Sequence, residues 1–356
     1  MPKTSRAGTS NGILGVAGAP RSQTILVTGA TGFVGGQLAR RLRLLGYSVR
    51  ALVRPNSKVQ PLVDLGVELY PGNLTRAHDV ARAAEGVYKI FHLAALYRAA
   101  GLPDSDYYDV NLGGTENILN AARRHGVERV VHCSSAGVHG HVQGAPCTEE
   151  SPLCPEDIYQ QTKLAGELRA REAFARGVPG TVVRPAAVYG PGDTRLLKLF
   201  RTIHGGSFRM FGSGEVCYHL IYIDDVIDGM VLCGERPEAL GEIFILAGPR
   251  YVQLNEMASL VAAAVGVEAP QRHLPMWPLM AAAVACEAVC RSLGLEPPLY
   301  RRRADFFRKN RAFSSEKARR VLGFLPKVEP AEGLCRAARW YFENRFLREP
   351  RRQGAA

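Results

Sequence analysis

The chain of 356 residues is long enough to bury a large core, either as one domain or as two intergrown ones. Its net charge of +12 is concentrated near the end, where residues 301–352 carry 16 Lys and Arg against 6 Asp and Glu. Such a surplus suits nucleic acid, an anionic membrane surface or a phosphorylated ligand, although solvated helix faces explain it more simply. Nucleic acid is not expected as a partner, because no basic motif interleaved with aromatic residues is present.

Residues 1–22 are rich in Gly, Ser and Ala and lack the apolar segment of a secretory signal, so a disordered tail is expected there. A second tail is expected over 347–356. The eight cysteines show neither C-x-x-C nor zinc-like spacing, which indicates reduced thiols and a cytoplasmic location.

The most apolar run covers residues 275–290 and contains Pro278 and Glu287. It is too short to span a bilayer. A buried helix is favoured there over a helix lying on a membrane surface, and weak membrane-surface contact stays an open expectation.

Short β-rich runs alternate with helical periods from residue 24 to residue 189. Strands that alternate with helices pair in parallel through right-handed crossovers, which predicts an α/β fold with a Rossmann-type doubly wound sheet. Helices are predicted from the first glycine turn to Gly46, from Thr75, up to His125 and around 156–176. The predicted strands are "TILVTG" (24–29), "SVRALV", "VELYPG", "KIFHLAA", "RVVHCSS" and "TVVRPAAVY".

The alternation weakens after Gly190. The runs "HLIYIDD" and "EIFILAG" are expected to return to the sheet, while the remaining segments are rich in helices and loops. The predicted organisation is a dinucleotide-binding Rossmann domain over 23–190 plus 216–248, with a smaller, mainly helical C-terminal substrate-binding region over 191–215 plus 249–346.

The first strand–helix junction, "LVTGATGFVGG", carries Gly29, Gly32 and Gly35. Glycines there permit a tight turn and let backbone amides approach a pyrophosphate, which the N-terminus of the following helix attracts. The spacing G-x-x-G-x-x-G differs from G-x-G-x-x-G, yet its place between a buried strand and an amphipathic helix is the context such a site requires. A dinucleotide is therefore the expected cofactor.

The residues after the second predicted strand bear on the choice between NAD and NADP. A carboxylate there would hold the ribose 2′-hydroxyl of NAD, whereas Arg suits the 2′-phosphate of NADP. The stretch "VRALVRPNSK" has Arg54 with Lys58 close by and no carboxylate. The sequence leans toward NADP and leaves NAD open, because an exposed Arg is also an ordinary loop residue.

Seven motifs between residue 24 and about residue 342 together resemble the extended short-chain dehydrogenase/reductase superfamily. The resemblance is to its NAD-dependent epimerase/dehydratase and 3β-hydroxysteroid-dehydrogenase-like branches. The motifs are "TGATGFVG" (28–35), "FHLAA" (91–95), "VNLGGTENIL" (110–119), "VVHCSSAGVHG" (130–140), "YQQTK" (159–163), "RPAAVYGPGD" (184–193) and "YIDDVIDG" (222–229).

This resemblance implies catalytic roles for Ser135, Tyr159 and Lys163. Tyr159 matches the general acid/base, and Lys163 is its partner one helical turn later, which also binds the nicotinamide ribose. A phenol pKa of about 10 would have to fall by about 3, or about 4 kcal/mol of preferential phenolate stabilisation, which nearby positive charge can supply. Ser135 matches the residue that hydrogen-bonds the reacting oxygen, with Ser134 as the alternative register. Without the other motifs, the Tyr and Lys would be an ordinary surface pair.

The resemblance also implies where the cofactor lies. Phe33 and Val34 are expected to cover the pyrophosphate, Ala94 to line the adenosine side, and Pro185 and Val188 to border the nicotinamide. The full set of expected cofactor-binding residues is Gly29, Thr31, Gly32, Phe33, Val34, Gly35, Arg54, Asn73, Leu74, Ala94, Tyr159, Lys163, Pro185 and Val188.

Two departures from the family pattern stand out. Asn73 replaces the usual Asp and can still hydrogen-bond an adenine amine. His139 and His141 follow the serine strand, but no third ligand is near them in the sequence, so no metal is expected.

Three stretches bear on the substrate. Ser135-Ala136-Gly137 stands where sugar-nucleotide dehydratases carry Thr-Asp-Glu, so a dehydratase is disfavoured. Tyr218 and His219 stand where nucleotide-sugar epimerases carry a diphosphate-binding Arg, although Arg301–Arg303 could supply cations. Residues 310–341 resemble the C-terminal segment of 3β-hydroxysteroid-dehydrogenase and sterol-4-carboxylate-decarboxylase-like enzymes.

The expected function is that of an NAD(P)-dependent oxidoreductase or epimerase, with hydride transfer at a secondary alcohol or ketone of a small-molecule substrate. A nucleotide-sugar epimerase-like enzyme is placed first. The alternative is a 3β-hydroxysteroid-dehydrogenase-like enzyme for a hydrophobic ring alcohol, with or without decarboxylation. A non-catalytic dinucleotide-binding sensor is disfavoured by the retained Tyr-x-x-x-Lys pair. By resemblance, a homodimer is expected through helices at 104–125 and 156–176.

Overall fold

The structure, a computed structural model, describes residues 23–97, 101–292 and 304–348. The tail expected over 1–22 lies outside these residues, as do Arg301–Arg303 and residues 349–356. Leu347 does not begin a loose tail, because its side chain is buried and its backbone N–H donates to the carbonyl oxygen of Tyr341. All eight cysteines are free thiols.

The described residues form short strands and helices in near-regular alternation. The strands are β1 (Thr24–Thr28), β2 (Ser48–Val53), β3 (Glu68–Pro71), β4 (Lys89–His92), β5 (Arg129–Cys133), β6 (Gly180–Pro185), β7 (Ala187–Tyr189), β8 (Met210–Phe211), β9 (Cys217–Tyr218), β10 (Leu220–Tyr222), β11 (Ile243–Leu246), β12 (Val252–Gln253) and β13 (His273–Leu274). The α-helices are α1 (Phe33–Leu44), α2 (Gln60–Asp64), α3 (Ala77–Ala83), α4 (Asp104–Tyr108), α5 (Gly114–His125), α6 (Ile158–Ala175), α7 (Leu197–His204), α8 (Ile223–Glu235), α9 (Leu254–Val265), α10 (Met276–Ser292), α11 (Glu316–Leu322) and α12 (Pro330–Glu343). Short 3₁₀ helices cover Ala136–His139, Pro237–Ala239 and Asp305–Phe307.

Seven parallel strands form the central sheet in the order β11-β6-β5-β4-β1-β2-β3, which confirms the predicted doubly wound α/β fold. Strands β4 and β6 are buried along their whole length, as strands covered by helices on both faces must be. The chain runs outward from β1 to β3 and then returns to β4 on the other side of β1. This reversal opens a crevice at the carboxyl ends of β1 and β4, where ligands of such sheets bind.

One strand predicted for the central sheet lies elsewhere. The run "HLIYIDD" forms β10, which pairs with β7 in a separate two-stranded sheet, whereas "EIFILAG" forms β11 and joins the central sheet as predicted. The predicted strand "TVVRPAAVY" breaks between Pro185 and Ala187, because proline has no N–H for a further sheet bond. After the break, the N–H of Ala187 donates to the carbonyl oxygen of His219 and directs β7 toward β10.

Buried apolar side chains form two clusters, and the larger one extends from the central sheet to the C-terminal helices. A single cluster of buried side chains contains Val27 of β1, Val183 of β6, Met257 of α9 and Leu334 of α12. The C-terminal helices therefore pack on the central sheet through shared apolar contacts. The division of the chain into a cofactor domain and a substrate-binding region stays a prediction.

The helix predicted to be buried, α10, is mainly exposed, so that prediction is wrong. Trp277 is 72% exposed, Val289 58% and Val284 47%. With Glu287 as the one charged residue in the run 275–290, the periodicity shows no clear polar face, so the sequence does not tell whether any surface covers it. Within the described ranges, no helix combines the length and apolarity needed to cross a bilayer.

Candidate active site

The turn between β1 and α1 is shaped by two close backbone approaches. Gly29 has φ +74°, and a Cβ built on it would lie 2.8 Å from the backbone nitrogen of Ala94. A Cβ on Gly35 would lie 2.2 Å from the carbonyl oxygen of Gly29, so α1 packs directly against the turn. Helix α1 has no acidic residue in its first turn, and its first backbone N–H groups have no partner inside the helix. This glycine loop fits a dinucleotide pyrophosphate.

Several residues predicted to bind the cofactor surround this loop. Phe33 and Val34 begin α1 and are half-buried, and Thr31 is exposed beside them. The backbone N–H of Ala94 donates to Oγ1 of Thr28 over 3.2 Å, which fixes the end of β4 beside the glycine loop. These residues meet where the predicted cofactor would pass between β1 and β4.

A cavity of about 500 Å³ lies beyond the ends of β2 and β3. Its lining includes the predicted residues Arg54 and Asn73, and also Arg76 and Asp79, which the sequence reasoning missed. Asp79 accepts a 2.9 Å hydrogen bond from the backbone N–H of Asn73, so this carboxylate shapes the loop. Two arginines, Arg54 and Arg76, therefore line one cavity.

Two predicted residues are not in this cavity. Leu74 is buried in the core, where its side chain leaves no room for a Cβ on Gly114 of α5. Lys58 is not among the residues that line the cavity. Pro185 and Val188 are buried at the ends of β6 and within β7.

Helix α6 carries both Tyr159 and Lys163. Asp157 caps its start by accepting a 2.9 Å bond from the N–H of Gln160, which sets Tyr159 in the first turn. Lys163 is only 3% exposed, and its Nζ donates to the carbonyl oxygen of Cys133 at the end of β5 over 2.6 Å. Burial lowers the pKa of Lys163, while Cys133 and then Glu167 raise it when ionised.

The two serines after β5 have different surroundings. Ser134 is buried, and its hydroxyl donates to Oε2 of Glu167 over 2.6 Å. Ser135 is half-buried and caps the following 3₁₀ helix, where its Oγ accepts a 3.0 Å bond from the N–H of Gly137. Because Ser135 accepts this bond, its O–H remains able to donate to a ligand oxygen.

A buried ionic network fixes α6 against β6. Arg184 of β6 donates from Nε and Nη2 to the two carboxylate oxygens of Glu167, over 3.0 and 2.5 Å. Both side chains are buried, at 1% and 0% exposure. Nη1 of Arg184 lies 3.1 Å from Nε2 of His139, whose Nδ1 lies 3.0 Å from the carbonyl oxygen of Pro152. Glu167 lies one turn beyond Lys163, so the network holds the helix that carries the candidate catalytic pair.

His139 and His141 are both engaged within the protein. Burial lowers the pKa of His139, and a neutral ring fits its hydrogen bonds to a carbonyl oxygen and to Arg184. Nδ1 of His141 accepts from the N–H of Asn310 over 3.1 Å. Across the described ranges, no group of three or more His, Cys, Asp or Glu is arranged to hold a metal ion.

The sequence reasoning missed three residues that meet near Tyr159. The ring of Tyr97 lies edge-on to that of Tyr159, with centroids 4.9 Å apart. The guanidinium of Arg195 lies 6.0 Å from the ring of Tyr97 and 5.7 Å from the ring of Phe33. Asn111 lies in a π-helical turn between α4 and α5 and bonds both the backbone of Leu96 and Oγ1 of Thr162. Only contacts between segments far apart in the chain bring these side chains together.

Comparison with known proteins identifies the family. The family model for the NAD dependent epimerase/dehydratase family matches residues 25–247, more than half of the chain. The chain belongs to this family. As a member it is an oxidoreductase or epimerase that uses a nicotinamide dinucleotide, as predicted.

Three curated relatives of this epimerase/dehydratase-family enzyme are reductases or dehydrogenases by name. One is 4-hydroxy-2-methyl-3-oxo-4-farnesyl-3,4-dihydroquinoline-1-oxide ketoreductase of Stigmatella aurantiaca, 31% identical over 86% of this chain and 93% of that protein. Another is 2-alkyl-3-oxoalkanoate reductase of Stenotrophomonas maltophilia, 32% identical over 88% and 97%. The third is the decarboxylating sterol-4-alpha-carboxylate 3-dehydrogenase of Schizosaccharomyces pombe, 28% identical over 89% and 97%.

Two solved structures are similar to the family member described here. The crystal structure of gox2253 has a TM-score of 0.78 and 31% identity, and the match covers 90% of this chain and 98% of that chain. MoeE5, solved in complex with UDP-glucuronic acid and NAD, has a TM-score of 0.71 and 25% identity, with 90% and 99% covered. NAD and a nucleotide sugar are thus bound by a protein of this fold.

Proposed function

We propose that the chain is an oxidoreductase for a hydrophobic secondary alcohol or ketone and not a nucleotide-sugar epimerase, which reverses the ranking from sequence. The observation that carries this proposal is the surroundings of Tyr218 and His219. The hydroxyl of Tyr218 donates to the carbonyl oxygen of Phe306 over 2.6 Å. His219 is buried and lies within hydrogen-bond distance of the carbonyl oxygen of Gly248 and the N–H of Phe313. Both side chains are hydrogen-bonded to other protein groups, so neither replaces a diphosphate-binding arginine.

Aromatic rings continue from Tyr218 through the neighbouring segments. Successive centroid distances are 5.1 Å from Tyr218 to Phe306, 5.1 Å from Phe306 to Phe307, and 5.4 Å from Phe307 to Phe211. A diphosphate placed against such rings would lose hydration, and the guanidinium of Arg311, which lies over the ring of Tyr218, already donates to the hydroxyl of that tyrosine over 2.8 Å. The rings favour an apolar substrate, as the names of the ketoreductase and the sterol dehydrogenase also suggest.

Each candidate catalytic residue has a distinct task in this proposal. Tyr159 exchanges the hydroxyl proton of the substrate, and Ser135 donates a hydrogen bond to the same oxygen. The buried ammonium of Lys163 favours the phenolate form of Tyr159 and orients the nicotinamide ribose. The bound dinucleotide supplies hydride acceptor or donor chemistry that no side chain can provide. The glycine loop, Phe33 and Ala94 would hold it.

We infer a preference for NADP over NAD, although the family is NAD-dependent by name. Arg54 and Arg76 line one cavity at the ends of β2 and β3, where the adenosine ribose of a dinucleotide would lie. The carboxylate in this cavity, Asp79, already accepts a bond from its own loop. Two guanidinium groups without a competing free carboxylate suit a 2′-phosphate.

A substrate panel tests the proposed reaction. Purified protein is incubated with NADP⁺ and either a hydrophobic secondary alcohol or UDP-sugars, and reduced nicotinamide and sugar epimers are both measured. We expect reduced nicotinamide to accumulate with the alcohol, and no interconversion of sugars. Epimerised UDP-sugar without net reduction of the cofactor would overturn the proposal. The Tyr159→Phe variant is the control that links turnover to this site.

The homodimer predicted through α4–α5 and α6 stays a proposal. These helices are bridged by Arg169 and Glu116 over 3.0 Å, and they expose Tyr108 and Leu168. Exposed apolar side chains on paired helices suit an interface with a second copy. Light scattering should give a dimer that Leu168→Glu converts to a monomer, and a monomeric wild type would contradict the proposal.

Weak contact of α10 with an anionic membrane surface also stays a proposal, as does the cytoplasmic location. The exposed side chains Trp277, Val284 and Val289 suit an interfacial helix, and the net charge of +12 would attract anionic lipid. We expect sedimentation with phosphatidylglycerol vesicles that Trp277→Ser weakens. Equal recovery of both proteins in the supernatant would refute this contact.

A further inference from the structure

Arg195 is a cation beside the candidate catalytic tyrosine that the proposed reaction does not use. We propose that Arg195 binds a carboxylate carried by the substrate, on the carbon next to the reacting carbon, so that the substrates are 3-hydroxy or 3-oxo acids. This inference rests on the proposed function and names the substrate class for the same site.

The position of Arg195 places it between the cofactor loop and the candidate catalytic residues. Its guanidinium lies 5.7 Å from the ring of Phe33 and 6.0 Å from that of Tyr97, which contacts Tyr159. Although burial lowers the pKa of Arg195, Asp193 and the two tyrosines raise it above its ordinary value. Arg195 is thus linked to Tyr159 through the ring of Tyr97.

The guanidinium is held in place and still has an open nitrogen. Nε donates to Oδ1 of Asp193 over 2.7 Å, and Nη2 donates to the carbonyl oxygen of Val188. Asp193 is buried, and its own carbonyl oxygen accepts a 2.7 Å bond from the hydroxyl of Tyr341. Nη1 has no hydrogen bond to any residue in the described ranges, and the side chain is 41% exposed. Arg195 is therefore a preorganised donor.

The charges of this arrangement favour one carboxylate over a diphosphate. The ion pair with Asp193 leaves Arg195 and its partner nearly neutral together, and the nearest rings are Phe33 and Tyr97. One open guanidinium nitrogen in these surroundings offers a charge-assisted hydrogen bond to a monoanion but cannot balance a multiply charged group.

The names of two relatives describe substrates with the same spacing of groups. In a 2-alkyl-3-oxoalkanoate, and in a sterol-4-carboxylate oxidised at position 3, the carboxylate is attached to the carbon adjacent to the reacting carbon. In the oxidative direction, a 3-hydroxy acid gives its hydroxyl proton to Tyr159 and a hydride to the oxidised dinucleotide. The product is a 3-oxo acid that keeps its carboxylate.

A matched pair of substrates tests this assignment. The probes are 3-hydroxydodecanoate and 2-undecanol, which share the alcohol and the alkyl chain but differ in the carboxylate. Turnover and the Kd of each probe in the presence of NADP⁺ are measured for wild type, Arg195→Gln and Arg195→Lys. The control is Arg319→Gln, which removes an exposed arginine paired with Glu316 on α11.

We expect wild type to prefer the acid, and Arg195→Gln to weaken acid binding by about 10- to 100-fold, the range of a charge-assisted hydrogen bond. Binding of 2-undecanol should change by less than about 2-fold, because the alcohol has no carboxylate to bond with Arg195. Arg195→Lys, which keeps the charge, should recover part of the loss. Since Arg195→Gln leaves Asp193 buried without its cation, the double variant Asp193→Asn/Arg195→Gln repeats the test with both charges removed.

Three results would overturn the assignment. Wild type could bind both probes equally, or the variant could lose the alcohol as strongly as the acid. The Kd of NADP⁺ alone could rise as much as that of the acid, which would assign Arg195 to cofactor phosphates. If wild type oxidises 2-undecanol without preferring the acid, the inference fails and the proposed function stands. UDP-sugar epimerisation, in contrast, removes the proposed function itself.

Discussion

Replacing Arg184 with Met should sharply destabilise the protein, because Glu167 would remain buried without its partner. Arg184 donates two hydrogen bonds to Glu167, and both side chains are almost inaccessible to water. Removing one member of a buried ion pair costs about 3–5 kcal/mol, since the other charge stays desolvated and unpaired. The bond from Ser134 to Glu167 offsets only part of this cost.

Urea unfolding followed by circular dichroism measures this loss. With a slope of about 3 kcal/mol per molar urea, the midpoint should fall by about 1 to 1.7 M. The variant Arg319→Met should show little change, because its ion pair with Glu316 is exposed.

A double variant separates the charge effect from lost packing. Glu167→Gln combined with Arg184→Met removes the unpaired carboxylate and should be more stable than Arg184→Met alone. The reasoning is refuted if Arg184→Met shifts the midpoint no more than the exposed control does, or if the double variant is the less stable of the two.

Three further predictions concern the catalytic tyrosine, the cofactor cavity and a buried histidine. Tyr159→Phe should reduce turnover by about 10²- to 10⁴-fold, because proton transfer is lost. The Kd of NADP⁺, measured by calorimetry, should stay within about 2-fold. A rise in this Kd as large as the loss of turnover would contradict the role of Tyr159 as acid/base. Arg54→Ala and Arg76→Ala should each weaken NADPH by about 10-fold or more and leave NADH nearly unchanged, and equal losses for both cofactors would refute the preference. Burial, and then the charge of Lys163, lowers the pKa of His92 to about 3, and burial also lowers that of His132. Unfolded histidine takes up protons below about pH 6.5, so folding stability should fall with pH from there toward pH 3, by at most about 1.4 kcal/mol per pH unit for each ring. His132→Leu should flatten this fall in acid unfolding curves, and an unchanged slope would exclude His132 as a source.

The sequence predicted best those features that are formed by neighbouring residues. The glycines from Gly29 to Gly35 lie at one turn, so their spacing in the sequence already indicates that backbone segments pack closely against each other there. Tyr159 and Lys163 lie on one helix, and because they are four residues apart their side chains point to the same side. The parallel sheet followed from alternating strands and helices because handedness and pairing rules leave few other arrangements.

The features that were missed depend on contacts between distant segments. Arg195 and Tyr97 are ordinary loop residues in the sequence, and only the fold brings both to Tyr159. Arg76 joins Arg54 because β2 and β3 end at one cavity. The exposure of α10 could not be read from an apolar run, since burial requires a partner surface that composition does not specify.

The nicotinamide content of the freshly purified protein tests the proposed reaction most directly. An epimerase oxidises and re-reduces its substrate on one retained cofactor, whereas a dehydrogenase releases its reduced cofactor in every cycle. The protein is denatured in acid, and the nicotinamide released into the supernatant is measured by enzymatic cycling. We predict far less than one bound nicotinamide per chain as purified, and one NADP⁺ bound per chain after NADP⁺ is added. One equivalent of NAD that survives dialysis and does not exchange would contradict the proposed dehydrogenase.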